Sequence, residues 1–245
     1  MSTISRRSKP EIANKSRPAI YYQETGKALP AEIQPECTAA GQNQRSKREF
    51  GMEEAPKSGK YALVIIDMQN DFVLPGAPAG VAGAYATIPQ IRKLLDFFRT
   101  RGWPVFHAVR EYRADGSDIE ITRLDEFLKG RRYVVPGTPG CEIVAELAPV
   151  EGEYRIVKNR FSAFMKTELD FMLRRLGVTR LAVCGTQYPN CIRATIFDAI
   201  CYGYQVTSVT DATSAQTPEV AAANIRDLEN VGVACLRLEE FLDSL

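Results

Sequence analysis

An aspartate, a lysine and a cysteine stand just beyond three apolar runs of this chain, and together they are the parts of a thiol nucleophile's site. Asp67 closes the run 61–66 and Lys158 closes 154–157. Cys191 follows the run 180–184 and its polar exit, Gly185, Thr186 and Gln187. A free thiol is only a few per cent thiolate near neutrality. A helix N-terminus and a neighbouring ammonium both stabilise the anion. An aspartate can take the thiol proton and later deliver it to a departing amine. Each residue alone has a plainer reading: a loop cap, a solvated strand end, a core cysteine. Their coincidence at three run ends is what points to chemistry.

The elements that must position them can be read from the pattern. Short runs rich in branched residues at 61–66, 103–109, 154–157, 180–184, 205–209 and 232–236 suit strands buried on both faces. Helical spacing lies between them, at 88–101, 167–176, 191–202 and 218–231, each closed by a glycine. Strand, helix, glycine, strand predicts an α/β fold, a three-layer α/β/α sandwich with a mostly parallel six-stranded sheet. Ligands bind such sheets outside the carboxyl ends of the strands, which is where Asp67, Arg110, Lys158 and Cys191 fall.

Composition narrows the function. In 245 residues, 45% hydrophobic content supports a real core, over about 56–245. Residues 1–55 are polar and aperiodic, predicting a disordered extension or an oligomer arm. A net charge of +1 argues against nucleic acid held by bulk electrostatics. No run approaches the roughly 20 apolar residues that span a bilayer, so a cytoplasmic location and no membrane partner are expected. The six cysteines include no CxxC pair, and His107 is the only histidine. Two-histidine metal motifs are therefore excluded, and no metal or other cofactor is expected. The glycines at 76, 80 and 83 lack the strand-abutting placement of a dinucleotide site.

Three segments taken together resemble the isochorismatase-like cysteine hydrolases, the family of nicotinamidases and of N-carbamoylsarcosine, maleamate and ureidoacrylate amidases. They are LVIIDMQNDF at 63–72, YRIVKNRFSAF at 154–164 and LAVCGTQYPNCIRATIFDA at 181–199, with VTDATSA at 209–215 in support. The resemblance covers about 60–243. It implies Cys191 as nucleophile, Asp67 as general acid/base and Lys158 as their companion. It also implies a cis peptide between Thr186 and Gln187, with the Gln187 and Cys191 amides forming an oxyanion hole. Relatives of this kind are commonly dimers or larger assemblies.

Departures from the pattern refine the expectation. The Asp-x-His pair of metal-dependent nicotinamidases is missing, and Tyr188-Pro189 replaces a Thr-Asp-like pair. The presence of Cys191 favours C–N chemistry over vinyl-ether cleavage. The expected activity is thus metal-independent hydrolysis of a small amide or ureido substrate through a thioester. Arg110 and Arg113 are candidates to fork onto a substrate carboxylate. Phe72, Phe161, Phe164 and Tyr188 are candidate pocket walls, and His107 reads as a core histidine. Two alternatives stay open: a thiol redox protein using Cys191 with Cys184 or Cys201, and a non-catalytic oligomeric scaffold.

Overall fold

Unbroken runs of branched side chains fit a strand covered on both faces better than a helix. Strand β1 (Lys60–Ile66) is such a run, buried from Tyr61 onward. Its side chains divide between two cores: Tyr61, Leu63 and Ile65 enter one, and Ala62, Val64 and Ile66 the other. The computed structural model describes residues 59–245, so the expectation for 1–55 lies outside the described residues.

Helices α1 (Asn70–Val73) and α2 (Ile88–Thr100) follow, then β2 (Val105–Arg110), α3 (Ile121–Leu128) and β3 (Tyr154–Lys158). The second half is α4 (Leu169–Arg175), β4 (Val178–Gly185), α5 (Arg193–Cys201), β5 (Gln205–Thr213), α6 (Pro218–Asn230), β6 (Ala234–Leu236) and α7 (Leu238–Asp243). The strands form one sheet in the order β3-β2-β1-β4-β5-β6. Every strand pairing is parallel.

Two helical layers cover it. Ile91, Leu94, Leu95 and Phe98 of α2 join Phe241 of α7 in the first core. Leu169 and Leu173 of α4, Ile196 and Ala199 of α5, and Leu228 of α6 fill the second. Each such leucine, isoleucine or phenylalanine contributes about 1.5–3 kcal/mol by leaving water. Local signals agree with this packing. Thr217 caps α6 by accepting from the Val220 N–H at 3.3 Å, and Pro218 occupies the first turn, where no donor is missed.

The strand order reverses beside β1. From β1 the chain steps outward through β2 to β3, then returns to place β4 on the other side. Crevices in parallel sheets open at that reversal, outside the carboxyl ends. Here it lies between the ends of β1 and β4. Gly185 has φ 114°, and a β-carbon there would meet the Ile66 carbonyl oxygen at 2.2 Å. Only glycine lets the two strand ends approach so closely.

The elements differ from the sequence expectation in several places. β2 runs through Arg110, and β5 continues to Thr213, following a register shift opposite Gly185. The helix expected from Cys191 starts earlier: a wide turn, Tyr188–Ile192, closes through the Ile192 N–H onto the Gln187 carbonyl at 3.3 Å and feeds into α5. Helices α1, α3 and α7 were not anticipated. Among the described residues, no helix is long and apolar enough to cross a membrane.

Candidate active site

Register brings the charged residues together. Arg110 on β2 and Lys158 on β3 are partners across the ladder. Each lies two residues beyond a side chain of the second core, Ala108 and Ile156. Alternation therefore turns both toward the same face, where Cys191 sits at the edge of that core. Asp67 leaves β1 in the left-handed region, at φ 51°, which costs a residue with a β-carbon about 1–2 kcal/mol. Its N–H bonds the Ala108 carbonyl at 2.8 Å, which holds the bend.

The Lys158 ammonium donates to Asp67 Oδ2 at 2.8 Å and to the Arg160 carbonyl at 3.4 Å. Both partners are nearly inaccessible, at 1% exposure for Lys158 and 2% for Asp67. Breaking such a pair by removing one member costs about 3–5 kcal/mol. Asp67 Oδ1 is buried without a hydrogen-bond partner, so one acceptor of the carboxylate is spare. The lysine thus serves the aspartate directly.

The cation on the sulfur is Arg110. Its Nη2 donates to Cys191 Sγ at 3.1 Å and to the Arg160 carbonyl at 3.0 Å. Its Nη1 donates to the Tyr112 hydroxyl and, at 2.5 Å, to Glu120 Oε1. The Tyr112 hydroxyl in turn donates to Glu120 Oε2 at 2.5 Å. Arg110 Nε, 3.8 Å from Asp67 Oδ2, has no hydrogen-bond partner. Arg110 thus lines the crevice with both terminal nitrogens of its fork occupied from within the protein and only Nε unpartnered. Gln69 fixes its backbone, accepting from the Arg110 N–H at 2.7 Å and donating to its carbonyl at 2.8 Å.

These charges set the protonation of the site. Burial pushes the Cys191 thiol up and the Asp67 charge adds to it, while Lys158 and Arg110 pull it down; the net displacement is upward. Burial also works against the Arg110 cation. The charges of Cys191, Asp67 and Glu120 outweigh it and keep the guanidinium protonated.

The bond between Thr186 and Gln187 is cis. Thr186 N–H bonds the Ile66 carbonyl at 2.9 Å, and its hydroxyl meets Ser214 Oγ at 2.9 Å. The Gln187 N–H makes no hydrogen bond among the described residues. Asp67, Phe72, Val81, Arg110, Arg123, Thr186, Gln187, Asn190 and Cys191 line one narrow crevice of about 20 Å³, room for little more than a water molecule. Phe72, Arg123 and Gln187 also line a wider hollow of about 310 Å³, large enough for a small ligand.

The remaining candidates disperse. Tyr188 is fully buried, with its ring in the second core and its hydroxyl 3.0 Å from Ser208 Oγ on β5. Its expected place in the pocket wall is thus corrected, because the wide turn points it inward. Phe161 lies beside the crevice rather than in its lining, with the Arg110 and Arg123 guanidiniums 5.2 and 5.1 Å from its ring centroid. Phe164 packs against Tyr202 and Tyr204. Arg113 is exposed in a loop closed by Asp118. His107 lies on the other face of β2, bonded to Glu153 at 2.9 Å. Among the described residues no group of three or more His, Cys, Asp or Glu side chains could hold a metal ion, so the donors near Cys191 do not fit a metal centre. Cys184 belongs to the first core and Cys201 is exposed, which leaves Cys191 without a partner thiol at the crevice among the described residues.

Sequence reasoning missed Gln69, Tyr112, Glu120, Arg123 and Asn190. Gln69 follows Asp67 by two residues and Glu120 is a lone acid before a helix; neither has a spacing that marks it in isolation.

Comparison with known proteins places this geometry. The family model described as the isochorismatase domain matches residues 61–240. The chain is 43% identical to a probable inactive nicotinamidase of Arabidopsis thaliana, over 75% of this chain and 95% of the relative. It is 30% identical to an N-carbamoylsarcosine amidase of Arthrobacter, over 75% of this chain and 69% of the relative. The crystal structure of an isochorismatase family protein from Desulfovibrio vulgaris superimposes with a TM-score of 0.74 at 57% identity, covering 76% of this chain and 97% of that one. A single family domain on an all-parallel sheet, matched from β1 into α7, accounts for all of these likenesses: the chain belongs to the isochorismatase family.

Proposed function

We propose that this protein is a metal-independent cysteine amidohydrolase acting on a small amide or ureido compound. The observation that carries the reading is the contact of Arg110 Nη2 with Cys191 Sγ at 3.1 Å, beside an Asp67 carboxylate braced by Lys158. A guanidinium on the sulfur lowers the cost of forming a thiolate in a buried site. Resemblance to an N-carbamoylsarcosine amidase supports C–N cleavage.

In the proposed reaction Asp67 takes the Cys191 proton on its spare oxygen, and the thiolate attacks the amide carbon. The tetrahedral oxyanion is held by the Gln187 and Cys191 N–H groups, where one donor is worth about 3–4 kcal/mol of barrier. The C–N bond breaks as the nitrogen takes the proton from Asp67, so ammonia or an amine leaves and a thioester remains. Water then loses a proton to Asp67 and attacks the thioester. The acid product departs as the proton returns to sulfur.

The test is ammonia release from a panel of primary amides and ureas, with the acyl-enzyme sought by intact mass. At least one substrate should turn over with wild-type protein, and Cys191→Ala should release none. Equal turnover by Cys191→Ala would remove the mechanism. Likeness to a relative described as a probable inactive nicotinamidase favours a second reading, a non-catalytic member. An unreactive Cys191 thiol would select that reading.

A further inference from the structure

We propose that Glu120 is a positioning residue for the proton of the reaction: acting through Arg110, its charge keeps one proton in the pair formed by Cys191 and Asp67. The inference rests on the reading of Cys191 as nucleophile and Asp67 as acid/base. It adds a residue that does not itself line the crevice.

Three observations carry it. First, four charged side chains are held out of water around the thiol. Asp67, Arg110 and Lys158 are at most 2% exposed, and the Glu120 side chain is 11% exposed. Second, each cation has its own carboxylate: Lys158 meets Asp67 at 2.8 Å, and Arg110 meets Glu120 at 2.5 Å. Burial works against the Glu120 charge, but Arg110 and the Tyr112 hydroxyl prevail and hold its carboxyl below the ordinary range. Third, Arg110 gives one terminal nitrogen to Glu120 and the other to Cys191 Sγ, so one guanidinium serves both.

These charges fix the number of protons. Two carboxylates and two cations cancel, so the buried cluster is neutral while Cys191 and Asp67 hold one proton between them. That proton belongs to the pair rather than to either group. Expelling it would leave a net negative charge out of water, which burial opposes. Without Glu120 the balance reverses. Asp67 then faces two cations, and losing the thiol proton restores neutrality. The nucleophile would be formed at rest, but a departing nitrogen would find no proton on Asp67. The other charged side chains nearby stand toward solvent. Arg123 beside Glu120 and Arg160 after β3 are both partly exposed, and Arg160 donates to the Asp118 carbonyl at 2.6 Å. Water and salt screen their charges.

The test counts the proton on the full chain. Iodoacetamide forms an S–C bond as iodide leaves, and a proton held by the pair is released to solvent. At pH 7 in weak buffer, wild-type protein should release about one proton per chain more than Cys191→Ala, which reports the remaining thiols. Glu120→Gln should release close to none from Cys191. Its alkylation profile, followed by mass on the Cys191 peptide, should move down by about one pH unit, an about tenfold faster reaction at neutrality. Glu120→Asp keeps the charge and should stay near the wild-type profile. A residue that merely braced Arg110 would move the profile upward on removal, as the sulfur lost its cation. Ammonia release should fall in Glu120→Gln while labelling rises, opposite directions that a general loss of fold does not produce. Release of fewer than about half a proton by the wild-type protein would overturn the inference, whether or not Glu120→Gln folds. So would a Glu120→Gln profile that is unmoved or shifted upward. A retained proton in a protein that hydrolyses no amide would remove the hydrolytic reading and leave Glu120 in this role.

Discussion

Two cations and one carboxylate compete over the proton on Cys191, and each can be removed separately. The charge of Asp67 adds to burial in raising the thiol. Asp67→Asn should therefore label faster with iodoacetamide at pH 7 than wild type, while its ammonia release disappears. Slower labelling would show that the carboxylate assists thiolate formation at rest instead of opposing it. Arg110 acts in the opposite direction, at 3.1 Å from the sulfur. Arg110→Met should shift the pH profile of alkylation upward by about a unit, a tenfold slower reaction at neutrality. An unshifted profile would assign the thiolate to other groups. Tyr188→Phe removes the buried hydroxyl that bonds Ser208. It should lower stability by about 1 kcal/mol and leave KM for any substrate unchanged.

At the level of elements, the approach of β4 to β1 is the point most sensitive to substitution. Gly185→Ala would drive a methyl into the Ile66 carbonyl from a positive φ. It should cost more than about 3 kcal/mol, read as a fall in the urea midpoint; a midpoint within error of wild type would contradict the close approach. The sheet and the meeting of Asp67, Lys158 and Cys191 were legible because buried strands leave unbroken apolar runs, and parallel sheets place their strand ends together. The role of Arg110 was not legible, since it depends on β2 extending one residue further and pairing Arg110 with Lys158. The direction of Tyr188 was hidden by the wide turn, which rotates side chains differently from an α-helix. Helix α3 escaped notice for a plainer reason: Ile121 is 81% exposed, Leu128 is exposed, and Phe127 alone is buried, so no apolar stripe repeats. Arg123 went unremarked with it.

Across the whole molecule, buried charge gathers at both ends of β2. At the end remote from Cys191, Glu153 takes Arg99 at 2.7 Å and His107 at 2.9 Å. Burial opposes the Glu153 charge, but Arg99, the Val150 N–H and His107 prevail and hold its carboxyl at about 2. Burial likewise lowers His107, against the pull of Glu153. Both groups have folded values below their unfolded ones, so each stabilises the fold at neutral pH and loses that contribution on acidification. For Glu153 the loss runs from about 4.5 down to about 2. The melting temperature should fall across that range, and more shallowly in Glu153→Gln; identical pH dependence in the variant would exclude this cluster as the cause.

Gln69 has a consequence for how such a molecule can change. Its single amide grips Arg110 on both sides of the peptide, two positions from Asp67. The acid and the guanidinium are in effect mounted on one bracket, which makes no bond to the α3 stretch that carries Arg123 at the entrance. That stretch can be rebuilt to admit a different guest while the spacing of the reactive groups stays as it is.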